Sequence, residues 1–362
     1  MLRQIRKVVP ILLIVVFAMC WRKWVISAQT RTWSEPVNIS NTPNNSWFPD
    51  LAVDSQGNVH MVWCETTDRI AARLEEGWER LFYSMWDGQS WLEPNDIVPP
   101  TEPIIRNAIV VDRNDVLHLV FRYYIPGHFT GIYYTQAPNE SAWSAASWSA
   151  PRLVSARGMN YAADLAVDSK GTLHLIFEDE GDSEFEVCPS CADVFYRRST
   201  DHGRTWSSPI DLGPTPTGAF REQIEIDQSD IIHVAWDEGW DRLSGRGDPI
   251  YSAYTFSSDG GFTWSQPITI AYPITTTAGL AVGPDSRGGV MLVWRVKSRE
   301  HQGIYYQWSQ DQGVTWNGPT AIPGVVAARW DNFDMYDMAA DSAGHIHLVV
   351  AGRLSTERDT LV

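Results

Sequence analysis

Internal repetition constrains this sequence more than any other feature. "PDLAVDSQGNVHMVW" (49–63), "NAIVVDRNDVLHLVF" (107–121), "ADLAVDSKGTLHLIF" (163–177), "EQIEIDQSDIIHVAW" (222–236), "AGLAVGPDSRGGVMLVW" (278–294) and "YDMAADSAGHIHLVV" (336–350) are six versions of one pattern. Their turn aspartates, Asp54, Asp112, Asp168, Asp227, Asp285 and Asp341, are spaced by 58, 56, 59, 58 and 56 residues. Units repeating at such a period bury their apolar faces against one another, so the chain must stack its units or close them into a ring.

Each copy sets two apolar runs around a tight Asp-Ser-x-Gly type turn, which reads as a β-hairpin buried on both faces. A third strand follows in "LFYSMW", "GIYYTQ", "DVFYRRS", "YSAYTFS" and "GIYYQWS", then a turn and a closing "TWSxP" strand. Four strands per period predict an all-β chain folded as a six-bladed β-propeller of four-stranded antiparallel blades. Eighteen Trp, 13 Tyr, 12 Phe, 26 Gly and 21 Pro, with no long helical periodicity, agree with short strands and turns. The closing-strand tryptophans are Trp33, Trp91, Trp148, Trp206, Trp264 and Trp316. Since Trp33 precedes the first hairpin, "RTWSEPVNIS" (31–40) is an orphan outer strand able to close the ring. Only "AGRLSTERDTLV" follows the sixth hairpin, so the last blade is expected to be incomplete, in a truncated chain, or closed by the N-terminal strand.

Arg3, Arg6 and Lys7 precede an apolar run from Val8 to Trp21, the pattern of a secretory signal or a short membrane anchor over residues 1–28. Residues 29–362 then form the propeller, with six repeats of about 57 residues. The expected location is outside the cytoplasm: extracellular, periplasmic, or anchored to the outer side of the cytoplasmic membrane. Any membrane contact is expected through the N-terminal segment alone. A formal charge of −16 would repel nucleic-acid phosphates, and no basic stripe offsets it, so nucleic acid is excluded as a partner.

"STDHGRTWSSP" (199–209), "SSDGGFTWSQP" (257–267) and "SQDQGVTWNGP" (309–319) form a second repeat. Asp201, Asp259 and Asp311 are placed to accept turn N–H groups, and Gly203, Gly261 and Gly313 to take a positive φ. Trp206, Trp264 and Trp316 are expected to pack onto their blades. Three copies on three blades make this scaffold, not a catalytic element. The phrases resemble the Asp-box, or bacterial neuraminidase repeat, of the sialidase superfamily, and the resemblance covers residues 31–362. It implies a six-bladed propeller whose Asp-boxes lie away from the active face. It further implies an arginine triad gripping a carboxylate, a Tyr nucleophile with a Glu partner, and an Asp acid/base. The family's first-blade Arg-Ile-Pro phrase is matched here by "SWFPD", with Trp47 in the arginine position.

The long, irregular connections "CETTDRIAARLEEGWER" (64–80), "EDEGDSEFEVCPSCAD" (178–193) and "DEGWDRLSGRGDP" (237–249) share the other face, the usual place for binding and chemistry. Arg106 and Arg221 sit six residues before their turn Asp, while Arg122, Glu178, Asp237 and Arg295 follow the residue ending the second strand. Convergent arginines and paired carboxylates suit an acidic sugar and acid chemistry at its glycosidic bond. The candidate substrate-binding residues are therefore Arg106, Arg221, Arg295, Arg122 and Glu178, and the candidate catalytic residues Glu222, Asp237 and Tyr336. Asp179, Glu238 and Arg329 are close by in sequence.

Other motifs take structural readings. His60, His118, His174, His233 and His347 share one repeat position and read as packing or turn-bonding residues; His345 alternates with His347. Cys188 and Cys191, in "CPSC", read as a local disulfide. Arg246–Gly247–Asp248 reads as chance. No metal or other cofactor is expected. The whole reads as an exported, monomeric, sialidase-like propeller acting on a glycan or glycoconjugate, an exo-sialidase type of glycoside hydrolase among the options. The alternative is a non-catalytic glycan- or protein-binding Asp-box propeller.

Overall fold

The computed structural model describes residues 34–66, 79–101, 106–124, 130–155, 162–180, 192–213, 217–239, 251–270, 277–296, 302–327, 336–341, 343–350 and 352–354. Contacts divide the chain into Met1–Ile39 and Ser40–Val362. The described residues of the first unit are in no strand, so residues 34–40 do not form the outer strand expected over 31–40. Among the described residues no helix is long and apolar enough to cross a membrane.

The second unit is a six-bladed β-propeller. Five blades are four-stranded antiparallel sheets with strands in chain order. The sixth is the hairpin Tyr336–Ala340 with Ile346–Val350, and Val325–Ala327 pairs Gly352–Leu354 in a separate two-stranded sheet. The first strands of successive blades pack against one another, Asn45–Val53 on Asn107–Val111 and so on to Thr277–Pro284 on Tyr336–Ala340. The core lies between blades, where Trp63, Trp236 and Trp294 at the ends of second strands are fully buried.

The repeated histidine has a repeated role. His60, His118, His174 and His233 are each 0 % exposed, with Nδ1 at 2.7 Å from the hydroxyl of a third-strand tyrosine: Tyr83, Tyr134, Tyr196 and Tyr254. The ring thereby ties the second strand to the third inside the sheet.

The Asp-box is a turn with a far-reaching tryptophan. Asp201 accepts from the Thr205 N–H at 2.8 Å, the Thr205 hydroxyl at 2.7 Å and the Ser199 hydroxyl at 2.8 Å, and Asp259 and Asp311 repeat the set. The tryptophans cross to the preceding blade: Trp206 meets Tyr134 edge-on, Trp264 meets Tyr196 and Trp316 meets Tyr254. Nor does the phrase itself form the fourth strand. Ser207 N–H bonds the Arg198 carbonyl, Pro209 removes the next donor, and regular pairing begins at Ile210 with Tyr196.

Candidate functional site

The first strand of a blade carries the unusual backbone. Six residues before the turn aspartate stand Phe48, Arg106, Arg221 and Gly279, with φ of 50°, 60°, 57° and 69°. In blades one, four and five this left-handed residue lies in a bulge where the pairing register slips, between Trp47 and Asp50, Phe220 and Gln223, and Ala278 and Ala281. Bulges re-aim a side chain, and three non-glycine residues held at positive φ mark a backbone set by its surroundings.

Carboxylates at the ends of the second strands hold this backbone from the neighbouring blade. Glu178 of blade three accepts the Arg221 N–H at 3.0 Å, and Asp237 of blade four accepts the Gly279 N–H at 2.7 Å. Asp237 also accepts the Ser252 hydroxyl at 2.6 Å and is 0 % exposed. Burial raises its pKa, opposed by Arg221, those two hydrogen bonds and Arg295. Arg106 also feels the charge of Asp237, after those of Glu222 and Asp164. Three arginines from blades two, four and five therefore converge on one aspartate.

Glu222 is 3 % exposed, and neither of its carboxylate oxygens is hydrogen-bonded by another described residue. Burial pushes its carboxyl up, against its own backbone N–H and the charge of Arg106, which favours the protonated form. Arg106 forms no hydrogen bond or close ion pair with a described residue; its guanidinium stands 5.6 Å over the Phe48 ring. Arg295 is 1 % exposed and Arg122 half-buried. Asp179 and Glu238 are occupied within the frame, Asp179 by the Ser155 hydroxyl and Glu238 by Trp236 Nε1 and the Thr217 hydroxyl. Arg106, Arg221, Arg295, Glu222 and Asp237 are thus brought together. Tyr336 begins the first strand of blade six, but its side chain is outside the described residues. So are Arg329, Cys188, Cys191, the Arg-Gly-Asp triplet and most of the three long connections.

One group of residues was not expected. Four positions before the turn aspartate, Asp50 accepts the Ile109 N–H of blade two at 2.7 Å, and Asp164 accepts the Ile224 N–H of blade four at 2.9 Å. Asp337 holds the same position in blade six, and Glu225 lies nearby in blade four. These four carboxylates, from blades one, three, four and six, act on one another electrostatically, which requires them to converge near the axis. The sequence signal was the Asp of "PDLAVD", "ADLAVD" and "YDMAAD".

The axial carboxylates make stability pH-dependent. Burial and then Asp164 push Asp50 up to about 7, and burial pushes Asp164 up to about 6. From about pH 4 to those values the folded chain binds protons that the unfolded chain has released. Their contribution is therefore complete below about pH 4 and lost as the pH rises through about 6 and 7. Asp54 runs the other way: hydrogen bonds from Asn58, Asn139 and Gln56 outweigh burial and hold it down at about 2. Its contribution is present above about pH 4 and lost as the pH falls toward 2. Urea midpoints are expected to fall between pH 5 and pH 8, and Asp50→Asn, which keeps an acceptor for Ile109, should flatten that fall. An equally steep fall in the variant would remove Asp50 as its source.

The BNR repeat-like domain family matches residues 127–362. A crystal structure of a protein of unknown function from Dyadobacter fermentans is similar with a TM-score of 0.61 and 12% identity, covering 88% of this chain and 92% of that one. A polysaccharide lyase, the PL25 ulvan lyase bound to -[GlcA(1-4)Rha3S]-, gives 0.55 and 14% over 85% of this chain and 76% of its own. The leech intramolecular trans-sialidase complexed with 2,7-anhydro-Neu5Ac gives 0.55 and 12% over 92% and 69%. At these identities the likeness is one of fold.

Proposed function

Because this chain belongs to the BNR repeat-like domain family and has a sialidase-like frame, we propose that it is an exported propeller that binds a carboxylate-bearing sugar. The convergence of Arg106, Arg221 and Arg295 around Asp237 carries this reading. Guanidinium groups brought together from three blades are the donor set that recognises a carboxylate, and an anionic sugar supplies one. The fold neighbours bound to 2,7-anhydro-Neu5Ac and to a GlcA-containing chain support an acidic sugar as the ligand class. The basic and apolar N-terminus supports export.

For catalysis, Glu222 is the residue whose environment suits a general acid, since burial favours its protonated carboxyl. Asp237 holds the arginines in place, and Tyr336 is the candidate for the Tyr nucleophile that the family resemblance implies. The hydrolytic form of the proposal is exo-cleavage of a sialoside. Trp47 favours a second, non-catalytic form: it is 44% exposed beside Phe48 in blade one, an aromatic surface on which a sugar ring can stack.

The test is binding and turnover of a fluorogenic sialoside, with a panel of uronate- and sialate-bearing glycans beside it. Arg106→Gln is the informative variant, since no hydrogen bond of the described frame depends on Arg106. Loss of one charge-assisted contact should weaken binding roughly 10- to 100-fold. Binding without turnover selects the non-catalytic form. Equal binding of acidic and neutral glycans, or no effect of Arg106→Gln, would overturn the reading.

A further inference from the structure

On the Asp-box side of the ring, one pair of blades assembles a set of groups absent from the other described pairs. Asp112 directly follows the first strand of blade two, His118 lies on the second, and His202 is contributed by the Asp-box of blade three. Nε2 of His118 is 3.4 Å from Asp112 Oδ2, and Nδ1 of His202 is 3.5 Å from the same oxygen. The three candidate ligand atoms all lie within 4.8 Å of one another.

The surrounding hydrogen bonds leave lone pairs facing one another. Asp112 Oδ1 accepts the N–H groups of Asn114 at 2.9 Å and Val116 at 3.0 Å, while Oδ2 takes only a long contact from Asn114 Nδ2 at 3.5 Å and keeps a lone pair toward the histidines. Tyr134 donates to Gln136 Oε1 at 2.8 Å or to the His202 carbonyl at 3.1 Å, so its oxygen is left to accept from His118 Nδ1. That assignment makes Nε2 an unprotonated acceptor. This nitrogen is buried, has no hydrogen-bond partner, and is aimed at a carboxylate oxygen. The Nε2 atoms of His174 and His233 face their turn aspartates in the same way, so what sets this pair of blades apart is the third group, His202.

We propose that Asp112, His118 and His202 bind a divalent transition-metal ion, zinc being the natural choice, as a clamp between blades two and three. One carboxylate and two imidazoles suit Zn²⁺. Bonds of about 2.0–2.1 Å in a tetrahedral site separate ligands by about 3.3–3.4 Å, close to the two spacings seen here. Tyr134 is the outer partner that fixes the tautomer and orientation of His118. The side chain of His202 is 47% exposed, which gives the ion a path in and leaves a fourth position for water.

The repeat supplies its own comparison. His60 and Asp54 of blade one stand in the same relation, but there Asn139 fills the third place and donates to Asp54 Oδ2 at 3.0 Å. In the next two Asp-boxes Gly260 and Gln312 stand where His202 does. Among the described blade pairs the site is therefore single. It lies apart from the arginine cluster and is independent of the glycan reading.

The test is calorimetric titration of the chelator-treated full chain with Zn²⁺, and with Co²⁺ read by its visible absorption. Both run in a His345→Ala background, because the exposed Asp341, His345 and His347 side chains also approach one another. The expected result is one ion per chain and a raised melting temperature. Adding His202→Ala, which removes only a half-exposed surface imidazole, should weaken binding roughly 100-fold and abolish the thermal shift. His118→Gln should do the same if it folds, but the conclusion stands on His202. Absence of Zn²⁺ uptake, or equal affinity with and without His202, would overturn the proposal.

Discussion

Replacing Asp237 by Ala should destabilise the propeller by about 3–5 kcal/mol, the range for removing one partner of a buried charge group. Asp237 is fully buried, and Arg221 and Arg295 both oppose its neutralisation. Its loss removes a buried negative charge from beside Arg221 and Arg295, and leaves the Ser252 hydroxyl and the Gly279 N–H without this acceptor. Gly279 stands at φ 69° in the bulge of the next blade, so the damage reaches the backbone that shapes the site. Asp237→Asn keeps an acceptor and should cost less than Asp237→Ala. Combining Asp237→Ala with Arg295→Met should recover part of the loss, because an apolar side chain no longer needs a counter-charge. Urea unfolding followed by tryptophan fluorescence reads all three without screening the charges. If Asp237→Ala unfolds at the wild-type midpoint, the aspartate does not hold the arginines, and a purely catalytic role regains its case.

The frame was legible because its rules are local. Period, turn aspartate and alternating apolar runs specify a hairpin, and six hairpins, five of them followed by third strands, specify blades. What crosses between blades was less legible. Trp206, expected on its own blade, reaches Tyr134 of the preceding one, since ring closure brings the back of each Asp-box against its neighbour. Asp50 and Asp164 were visible as letters in a repeated phrase, but a carboxylate accepting an N–H some sixty residues away is a product of blade stacking.

The candidate site was half legible. Arg106 and Arg221 share a repeat position, and that register was enough to group them. It did not reveal that the position is left-handed, nor that Phe48 and Gly279 occupy it in blades one and five. Glu222 and Asp237 carried equal weight as letters. Their surroundings separate them: Asp237 accepts two hydrogen bonds, whereas the Glu222 carboxyl accepts none from another described residue.

Gly261→Ala and Gly260→Ala, adjacent in one Asp-box, should differ sharply. Both residues have positive φ, 76° for Gly260 and 81° for Gly261, so alanine costs each about 1–2 kcal/mol of backbone strain. At Gly260 a Cβ would meet nothing within 4 Å. At Gly261 it would lie 1.9 Å from the Tyr196 hydroxyl and 2.3 Å from the ring carbon that bears it. Tyr196 cannot swing aside: it is fully buried, its oxygen is 2.7 Å from His174 Nδ1, and Trp264 stands edge-on 4.8 Å away. Relieving the clash must separate blade four's Asp-box from blade three, which adds about 1–3 kcal/mol of overpacking. The expected order of urea midpoints is wild type, then Gly260→Ala, then Gly261→Ala well below both. A Tyr196→Phe change should rescue little of the Gly261→Ala loss, because the ring carbon still obstructs the methyl. Equal midpoints for the two glycine variants would mean that contact between the Asp-box and the neighbouring tyrosine does not hold blades three and four together. Stability would then have to be sought in the axial carboxylates and the buried tryptophans instead.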